Sequence, residues 1–533
     1  MNLAFDSWIP VVTTTGERRV ASLTEVLDGG DGLVDLAVRP HERVALMRLL
    51  ICVAQAALDG PASDYDPPEA TMARLPGAAR GYLEKWRDDF ELFHPQRPFL
   101  QRADITKPAK SNKKGADAEP DLTPTSKLDF ALATGANTTL FDHGGAGGHP
   151  RAFTPAQLAL TLLTFQNFSP GGTIAQVFWR GVQSSKSSNH APCTPGAMLH
   201  GFVRRENLYA SICANLLSKA LVSRIYGKAD AWGIPIWERP PANGTDTPAI
   251  ANATSTYLGR LVPMSRLIRL DSDGDFMMLG NGLEYPSYGK GGMREPSATE
   301  VAKKDGTGRA LLGARDKAVW RELHSLSLAR RNDVGGALTL LNVLDNASFD
   351  YWLGAFITNQ NAAVVDVVES VFHVPARMLG EPGHHAYRDG VEYAERVAGH
   401  LNWAVEIYRQ QVDGGWQGRL KMAGPKKWDL LRQLHANAAR HYWTTLETRR
   451  ELLLRHVELF GSEDGLEAIS SWRAVTHVAA RAAYRLVCGM DTPRQVRAFA
   501  LGWDNLTLPV DKDGSGAEPV RAMTDMTPQE EEY

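Results

Sequence analysis

The sequence predicts an α+β protein: a large mixed α/β N-terminal domain over residues 1–380, a C-terminal four-helix bundle over 386–510, and a polar tail over 511–533 expected to be disordered. Three observations carry that expectation. Short strand-like runs bounded by Gly, Pro and Asn recur in the first part, from Asn2 to Val12, Leu261 to Leu279 and Asp350 to Phe372. Among them, Glu42 to Leu58 is apolar around so much of its circumference that it reads as a core helix rather than a surface one. Beyond Glu381-Pro382-Gly383 the chain turns helical, with candidate helices from Tyr387 to Gln411, Pro425 to Phe460, Leu466 to Cys488, and Pro493 toward Leu501. Gly414-Gly415, Gly461 and Gly489 punctuate them, and connections this short favour antiparallel neighbours, hence a bundle.

A composition of 43% hydrophobic and 22% charged residues is that of an ordinary soluble globular protein, and 533 residues suffice for more than one core without disulfide or metal staples. Cys52, Cys193, Cys213 and Cys488 lie far apart with no CxxC pair, which fits a reduced, cytoplasmic compartment and argues against zinc. The first residues show no basic-then-apolar leader and no run approaches about 18 apolar residues, so neither a usual export signal nor a membrane span is expected. A formal net charge of -3 argues against a polyanion binder held by bulk charge. It leaves open recognition of nucleic acid through local clusters of Lys and Arg.

Taken in order, Asn2 to Val12 reads as a strand anchored by Trp8-Ile9-Pro10, Thr13 to Glu17 as a turn, and Leu23 to Leu27 as a short helix after a second strand. Trp86, Phe90, Phe93 and Phe99 around Pro95 and Pro98 form a packed aromatic turn. From Lys107 to Pro120, Lys107, Lys110, Lys113 and Lys114 are mixed with Ser, Asn, Gly and Pro. The plain reading is a solvated, mobile loop, and the sharper one a phosphate-contacting loop that orders on binding. Gln183 to Pro195 and Arg239 to Pro248 read as flexible connectors. Asp271-Ser272-Asp273-Gly274-Asp275 is a tight acidic turn, since the glutamate and flanking helices of a calcium loop are missing. Thr358-Asn359-Gln360-Asn361 is a hairpin tip: a plain turn, or three uncharged amides on a stiff support able to contact or separate bases. In the bundle, basic residues including Arg432, Arg440, Arg449 and Arg450 outnumber the acids, giving a solvated face by default and a backbone-phosphate patch as its rival.

The stretch from Thr134 to Gly172 holds two glycine-rich loops joined by one helix. Thr154 supplies the N-cap and Pro155 the first helical position; Leu158, Leu162, Leu163 and Phe165 give a mainly one-sided apolar stripe, and Ser169-Pro170-Gly171-Gly172 stops the helix. At about 1.5 Å rise per residue the helix spans on the order of 20 Å, so both loops can border one polymer-sized ligand. His143-Gly144-Gly145 is like the oxyanion-hole segment of lipases, yet no serine stands in the required G-x-S-x-G elbow. Tyr288-Gly289-Lys290 lacks the first glycine and the following Ser or Thr of a phosphate loop, and His384-His385 reads as a solvated hinge in a Pro-Gly connector. The absence of a catalytic constellation points to binding or scaffolding. Two rivals are a hydrolase built on the His143 loop and a helical adaptor that never touches nucleic acid.

Several motifs together resemble one family, CasA, the large subunit of the type I-E CRISPR surveillance complex called Cascade. They are Asn2-Leu3 with Trp8-Ile9-Pro10, the run from Phe93-His94-Pro95 to Gln101, Thr134-Gly135-Ala136-Asn137 to Phe141, Asn167 to Gly172, Asn359-Gln360, and Ala438-Ala439-Arg440-His441-Tyr442, in the family's order. The resemblance implies a mixed α/β domain followed by a four-helix bundle, no catalytic activity, no cofactor and no membrane. It implies recognition of the protospacer-adjacent motif (PAM) in double-stranded target DNA, the start of strand separation, and help in recruiting a nuclease-helicase. The further partners it implies are the 5′ handle of the guide RNA and the backbone, small and handle-capping subunits of Cascade. By resemblance, Asn137 and Phe141 belong to a loop that engages the RNA handle, Gly171 and Gly172 to a loop that approaches the PAM backbone, and Asn359 and Gln360 to a wedge beside the PAM. These roles suit the residues: an aromatic in a loop can stack on an unpaired base, and glycine lets main chain approach phosphate. Some relatives carry cysteine pairs suited to zinc where this sequence has the Asp271 to Asp275 turn, so no metal is expected. Lys290 and Arg294 are the candidates for the family's PAM-contacting lysine.

Overall fold

The computed structural model describes residues 1–30, 32–63, 68–107, 122–130, 152–287, 294–302, 308–313, 317–327, 336–337, 348–359, 363–413 and 425–506. It is a mixed helix-and-strand protein with a helical C-terminal region, divided into two compact units, Met1–Gly380 and Glu381–Tyr533.

The first unit opens on a three-stranded antiparallel sheet, β2-β1-β3, of β1 (Ile9–Thr13), β2 (Arg18–Ala21) and β3 (Leu33–Leu36). The strand starts at Ile9 rather than Asn2, because the preceding residues turn back and Trp8 Nε1 donates to the Leu3 carbonyl at 2.8 Å inside the core. Helix α1 (Leu23–Leu27) is capped by the Ser22 side chain, which accepts from Glu25 N. Helix α2 (Pro40–Leu58) is buried along almost its whole length, as its apolar run demands. Phe90 and Phe99 stack at 5.5 Å between ring centroids, giving the expected packed turn.

After β4 (Thr123–Pro124) comes α3 (Pro155–Phe168), started by a reciprocal capping box between Thr154 and Gln157. Its apolar stripe is not one-sided: every residue from Leu158 to Phe168 is buried, with α2 packed against it and Gln166 and Asn167 turned into backbone hydrogen bonds. The Gln183 to Pro195 segment is no loose connector. There β6 (Ser187–Ser188) pairs antiparallel with β5 (Gly172–Thr173), and Cys193 N donates to the Asn167 carbonyl. Arg239 to Pro248 likewise ends in structure, with Asp246 capping the helix Thr247–Ser255.

Strand β7 (Leu199–Arg204) belongs to the hairpin sheet described below. Strands β8 (Arg266–Leu270) and β9 (Phe276–Asn281) form an antiparallel pair, and β9 also pairs with β4. The acidic turn between β8 and β9 is held by Asp271, whose carboxylate accepts from the backbone N–H groups of Gly274, Asp275 and Phe276. That carboxylate is spent on its own turn. Next, β10 (Phe349–Asn359) and β11 (Ala363–Val374) make a hairpin longer than expected, in a sheet of order β7-β10-β11. The strand runs through Thr358 and Asn359, and 360–362 lie outside the described residues.

The second unit contains α4 (Glu381–Asp413), α5 (Pro425–Glu447), α6 (Glu451–Glu458), α7 (Glu463–Val487) and α8 (Pro493–Leu506). His384-His385 therefore sits in the first turns of a helix rather than in a connector; proline is tolerated that early because its missing N–H has no intrahelical partner to lose. The single helix expected from Pro425 to Phe460 is broken at Thr448–Arg450 into α5 and α6. Buried polar tips pin the helices to one another: Tyr442 Oη donates to Ala394 O at 2.8 Å and Trp472 Nε1 to Gly390 O at 2.9 Å. All four cysteines are buried and free, and no helix among the described residues is long and apolar enough to cross a membrane.

Candidate nucleic-acid interface

The described part of the site is built around the turn that ends α3. Ser169 caps the helix and Pro170-Gly171-Gly172 redirects the chain into β5. At Gly171 a Cβ would lie 2.8 Å from the Ser188 carbonyl oxygen and 3.1 Å from His190 N, both backbone atoms, so only glycine fits. Its N–H donates to His190 Nδ1 at 3.0 Å. Burial first, and the charge of Arg266 second, hold the His190 imidazole below the ordinary histidine range, which keeps that acceptor nitrogen unprotonated. Gly172 has φ +135°, which a side chain rarely adopts, and its outer side is open, with nothing within 4 Å of a built Cβ. A bare stretch of main chain is thus displayed on a rigid base.

Arg266 makes the base rigid. From the start of β8 its Nη2 donates to Pro170 O at 2.7 Å, Asn189 O at 2.9 Å and Ser169 O at 3.4 Å, while Nη1 donates to Ser265 O at 2.7 Å. One guanidinium therefore gathers both walls of the turn. It is 2% exposed, and burial lowers its pKa to about 10, still protonated at neutral pH. Gln166 completes the mount, donating to Arg266 O at 2.9 Å and accepting from Arg266 N at 2.8 Å.

Beneath this turn lies an aromatic cluster. The Phe356 ring of β10 is 5.4 Å from Phe168, 5.0 Å from Phe130 and 5.3 Å from His41, centroid to centroid. Phe168 is the last residue of α3, Phe130 stands immediately before the segment containing Asn137 and Phe141, and Phe356 is three residues before Asn359 on the hairpin. One cluster therefore joins the roots of the three elements singled out in the sequence. Such pairs add about 0.5–1.5 kcal/mol each beyond burial. Asn359 ends β10 opposite Ala363, at the edge of the hairpin tip.

A second buried group anchors the approach to Arg294. Glu295 lies between Arg48 and Arg260 at 2.6 Å from each, with side chains no more than 1% exposed. Burial alone would raise the Glu295 carboxyl, but the charges of Arg260 and Arg48 hold it below the ordinary range. Arg48 also donates to Ser297 Oγ, which meets His200 Nδ1 at 2.8 Å. Arg294 itself donates to the buried Glu300 carboxylate at 2.9 Å.

Gly171, Gly172, Asn359 and Arg294 thus fall in the described first unit. Asn137, Phe141, His143, Lys290 and Gln360 lie outside the described residues. In the second unit Arg432 lies in α5, Arg440 and Arg449 are exposed, and Arg450 is 3.7 Å from Glu447. Sequence reasoning missed Arg266, His41, Phe356 and the Arg48–Glu295–Arg260 group. A signal existed for two of them: Arg266 and Arg269 have opposite parity on an apolar strand, so one must face inward, and Arg48 sits within a helix read as buried all round.

The comparisons with known proteins agree with this architecture. The family described as CRISPR-associated protein Cse1 matches residues 2–483. A CRISPR-associated protein CasA/Cse1 of Thermus thermophilus is 28% identical over 434 residues, 78% of either chain. The crystal structure of Thermobifida fusca Cse1 is similar at TM-score 0.73 and 19% identity, over 95% of this chain and 97% of that one. A chain of a CRISPR RNA-guided surveillance complex is similar at TM-score 0.69 and 16% identity, over 95% and 99%. With a match spanning nearly its whole length, this chain belongs to the CRISPR-associated Cse1 family.

Proposed function

We propose that the chain is the non-catalytic large subunit of a type I-E Cascade complex, which recognises the PAM in double-stranded DNA, starts separation of the target strands and helps recruit a nuclease-helicase. Its partners in this reading are the 5′ handle of the guide RNA, the target duplex, and the backbone, small and handle-capping subunits. The observation that carries the reading is the aromatic cluster of Phe130, Phe168 and Phe356, which seats the approach to the Phe141 loop, the glycine turn and the hairpin on one rigid support. Three nucleic-acid contacts need a fixed mutual spacing, and a shared core provides it. Main chain at Gly171-Gly172 suits a groove or phosphate, and a minor-groove reader sees a degenerate pattern that tolerates several PAM sequences. Uncharged amides at the hairpin tip can hold base pairs apart without the desolvation cost of a charge. Commitment of the buried histidines supports the non-catalytic part: His41 is packed among rings and His200 is fixed between Ser297 and the Cys193 carbonyl.

Changing Asn359 and Gln360 together to alanine is expected to weaken PAM-dependent duplex binding by the assembled complex, while binding to a target with a pre-opened bubble suffers much less. Electrophoretic or interferometric binding to the two substrates makes the comparison. Equal loss on both contradicts a wedge.

A further inference from the structure

Helix α7 carries no acid beyond Glu467, while Arg473, His477, Arg481 and Arg485 recur at every fourth residue, the three arginines exposed. At about 1.5 Å rise per residue the arginines extend over roughly 18 Å. Each end of the row rests on an aromatic ring. Arg473 lies 5.2 Å from the centroid of Tyr393 on α4, with Arg396 over the same ring at 5.6 Å, and Arg485 lies 4.6 Å from the centroid of Trp503 on α8. Tyr393 Oη is fixed in turn against His477 Nε2 at 2.8 Å, and Trp503 stacks on Phe499 at 5.6 Å. These contacts hold guanidiniums in place without neutralising them. No side chain among Arg396, Arg473, Arg481 and Arg485 forms an ion pair or hydrogen bond among the described residues.

One residue further round the helix runs an uncharged, exposed row, Ala474, Val478, Ala482 and Leu486, in which Val478 and Leu486 are 63% and 66% exposed. A face that is basic along one row and apolar along the next fits an acidic segment with apolar side chains of its own. Residues 511–533 answer both rows: they hold seven acids, ending in Glu530-Glu531-Glu532, against Lys512 and Arg521, and they space Val520, Met523 and Met526 three residues apart. Helix α8 ends at Leu506, three residues after Trp503, so the chain leaves it close to the Arg485 end of the row. At up to about 3.3 Å per residue, the segment is several times longer than the row it would follow.

We propose that residues 511–533 dock on this face of α7, with their carboxylates on Arg473, Arg481 and Arg485 and with Val520, Met523 and Met526 against Val478 and Leu486, and so keep other polyanions off it. Because the segment is tethered beside its site, its effective concentration is of millimolar order, and ion pairs that are individually weak and salt-screened suffice. A nucleic acid engaging the face must first displace the segment. Docking is therefore a brake on indiscriminate binding, and it is independent of how the first unit reads DNA.

The test uses the full chain carrying Arg473→Lys, Arg481→Lys or Arg485→Lys, each of which keeps the charge and supplies a primary amine. Carbodiimide treatment followed by mass spectrometry should join carboxylates of 511–533 to at least one of these positions, and about 0.5 M salt should suppress the coupling. No such coupling, in a sample where the paired Lys219 and Asp59 do couple, overturns the docking. In a mixture of isotopically light and heavy chains the coupled peptides should match in label; mixed pairs would assign the face to a second copy and overturn docking within the chain. Deleting 511–533 should tighten binding of a non-cognate single-stranded oligonucleotide roughly tenfold at about 50 mM salt and steepen the salt slope by about 0.7 for each phosphate newly contacted. Changing Arg473, Arg481 and Arg485 together to Gln should cancel that gain. Unchanged affinity on deletion overturns the brake, and a gain that survives the triple change overturns the assignment to α7.

Discussion

His41 shows how much a single side chain can report about this core. It is the second residue of α2, buried against Phe130, Phe168 and Phe356, and neither ring nitrogen has a hydrogen-bond partner among the described residues. Burial first, and the nearby charge of Arg39 second, push its pKa down to about 3. The sign of the consequence is fixed. Between about pH 3 and the unfolded value near 6.5 the unfolded chain binds a proton that the folded chain refuses, so the contribution is intact above pH 6.5 and falls as pH drops. The slope from this residue approaches about 1.4 kcal/mol per pH unit, or about 2 kcal/mol between pH 6.5 and 5. His200, lowered to about 4 chiefly by burial, acts in the same direction. Urea unfolding at pH 7 and pH 5 should therefore show a smaller pH-dependent loss for His41→Leu than for the unaltered protein. Equal losses would mean that the imidazole is protonated in the folded state. Its environment was hidden from the sequence because Phe130, Phe168 and Phe356 come from three distant segments, and nothing local marks a histidine at a helix start as buried.

At the scale of an element, the glycine turn separates two reasons for needing glycine. In Gly171→Ala the new methyl meets backbone oxygen and nitrogen of Ser188 and His190, which cannot swing aside as a side chain would. The β5–β6 pairing is expected to open at a local cost of about 1–3 kcal/mol, lowering hydrogen-exchange protection of the amide at position 171 relative to the unaltered protein. In Gly172→Ala the space is free and only the φ of +135° is strained, so the neighbouring strand should keep its protection. Both variants should weaken PAM-duplex binding by the complex, and a Gly171→Ala protein with unchanged protection of that amide would refute the clash. The stop at Ser169-Pro170-Gly171-Gly172 was legible because proline and glycine chemistry is local. Its wall was not: Ser188 pairs with Gly172 across 16 residues of chain, and Ser187-Ser188-Asn189 has the composition of a loop. Nonlocal pairing, together with the Arg266 hydrogen bonds, turned an apparent connector into structure. The hairpin was easier, since β-branched and aromatic runs on both sides of an amide-rich tip announce it; its strands are merely longer than read.

For the whole molecule, the two-unit organisation follows from where each kind of pattern ends. Strand signals stop at Val374, and the helices of the second unit repeat with short breaks, which is why their existence was legible from periodicity alone. The break at Thr448–Arg450 was not, because no Gly or Pro marks it and Glu447 to Glu451 is unbroken helix-forming charge apart from Thr448. That break places Arg449 and Arg450 at a helix junction, with Arg440 exposed upstream on α5. Arg450 has Glu447 3.7 Å away at a half-exposed site, a pairing worth at most about 1 kcal/mol and screened by salt. Replacing Arg432, Arg440, Arg449 and Arg450 together by alanine should therefore leave the thermal midpoint within a few degrees of the original. If the second unit touches phosphates, the same variant lowers the salt slope of duplex binding by about 0.9 for each phosphate it no longer neutralises, without altering which PAM is preferred, since the phosphate backbone carries no base information. Titrations of PAM-containing and PAM-less duplexes at several salt concentrations decide it: a reduced slope on both assigns the arginines to the DNA backbone, and an unchanged slope returns them to a solvated helical face.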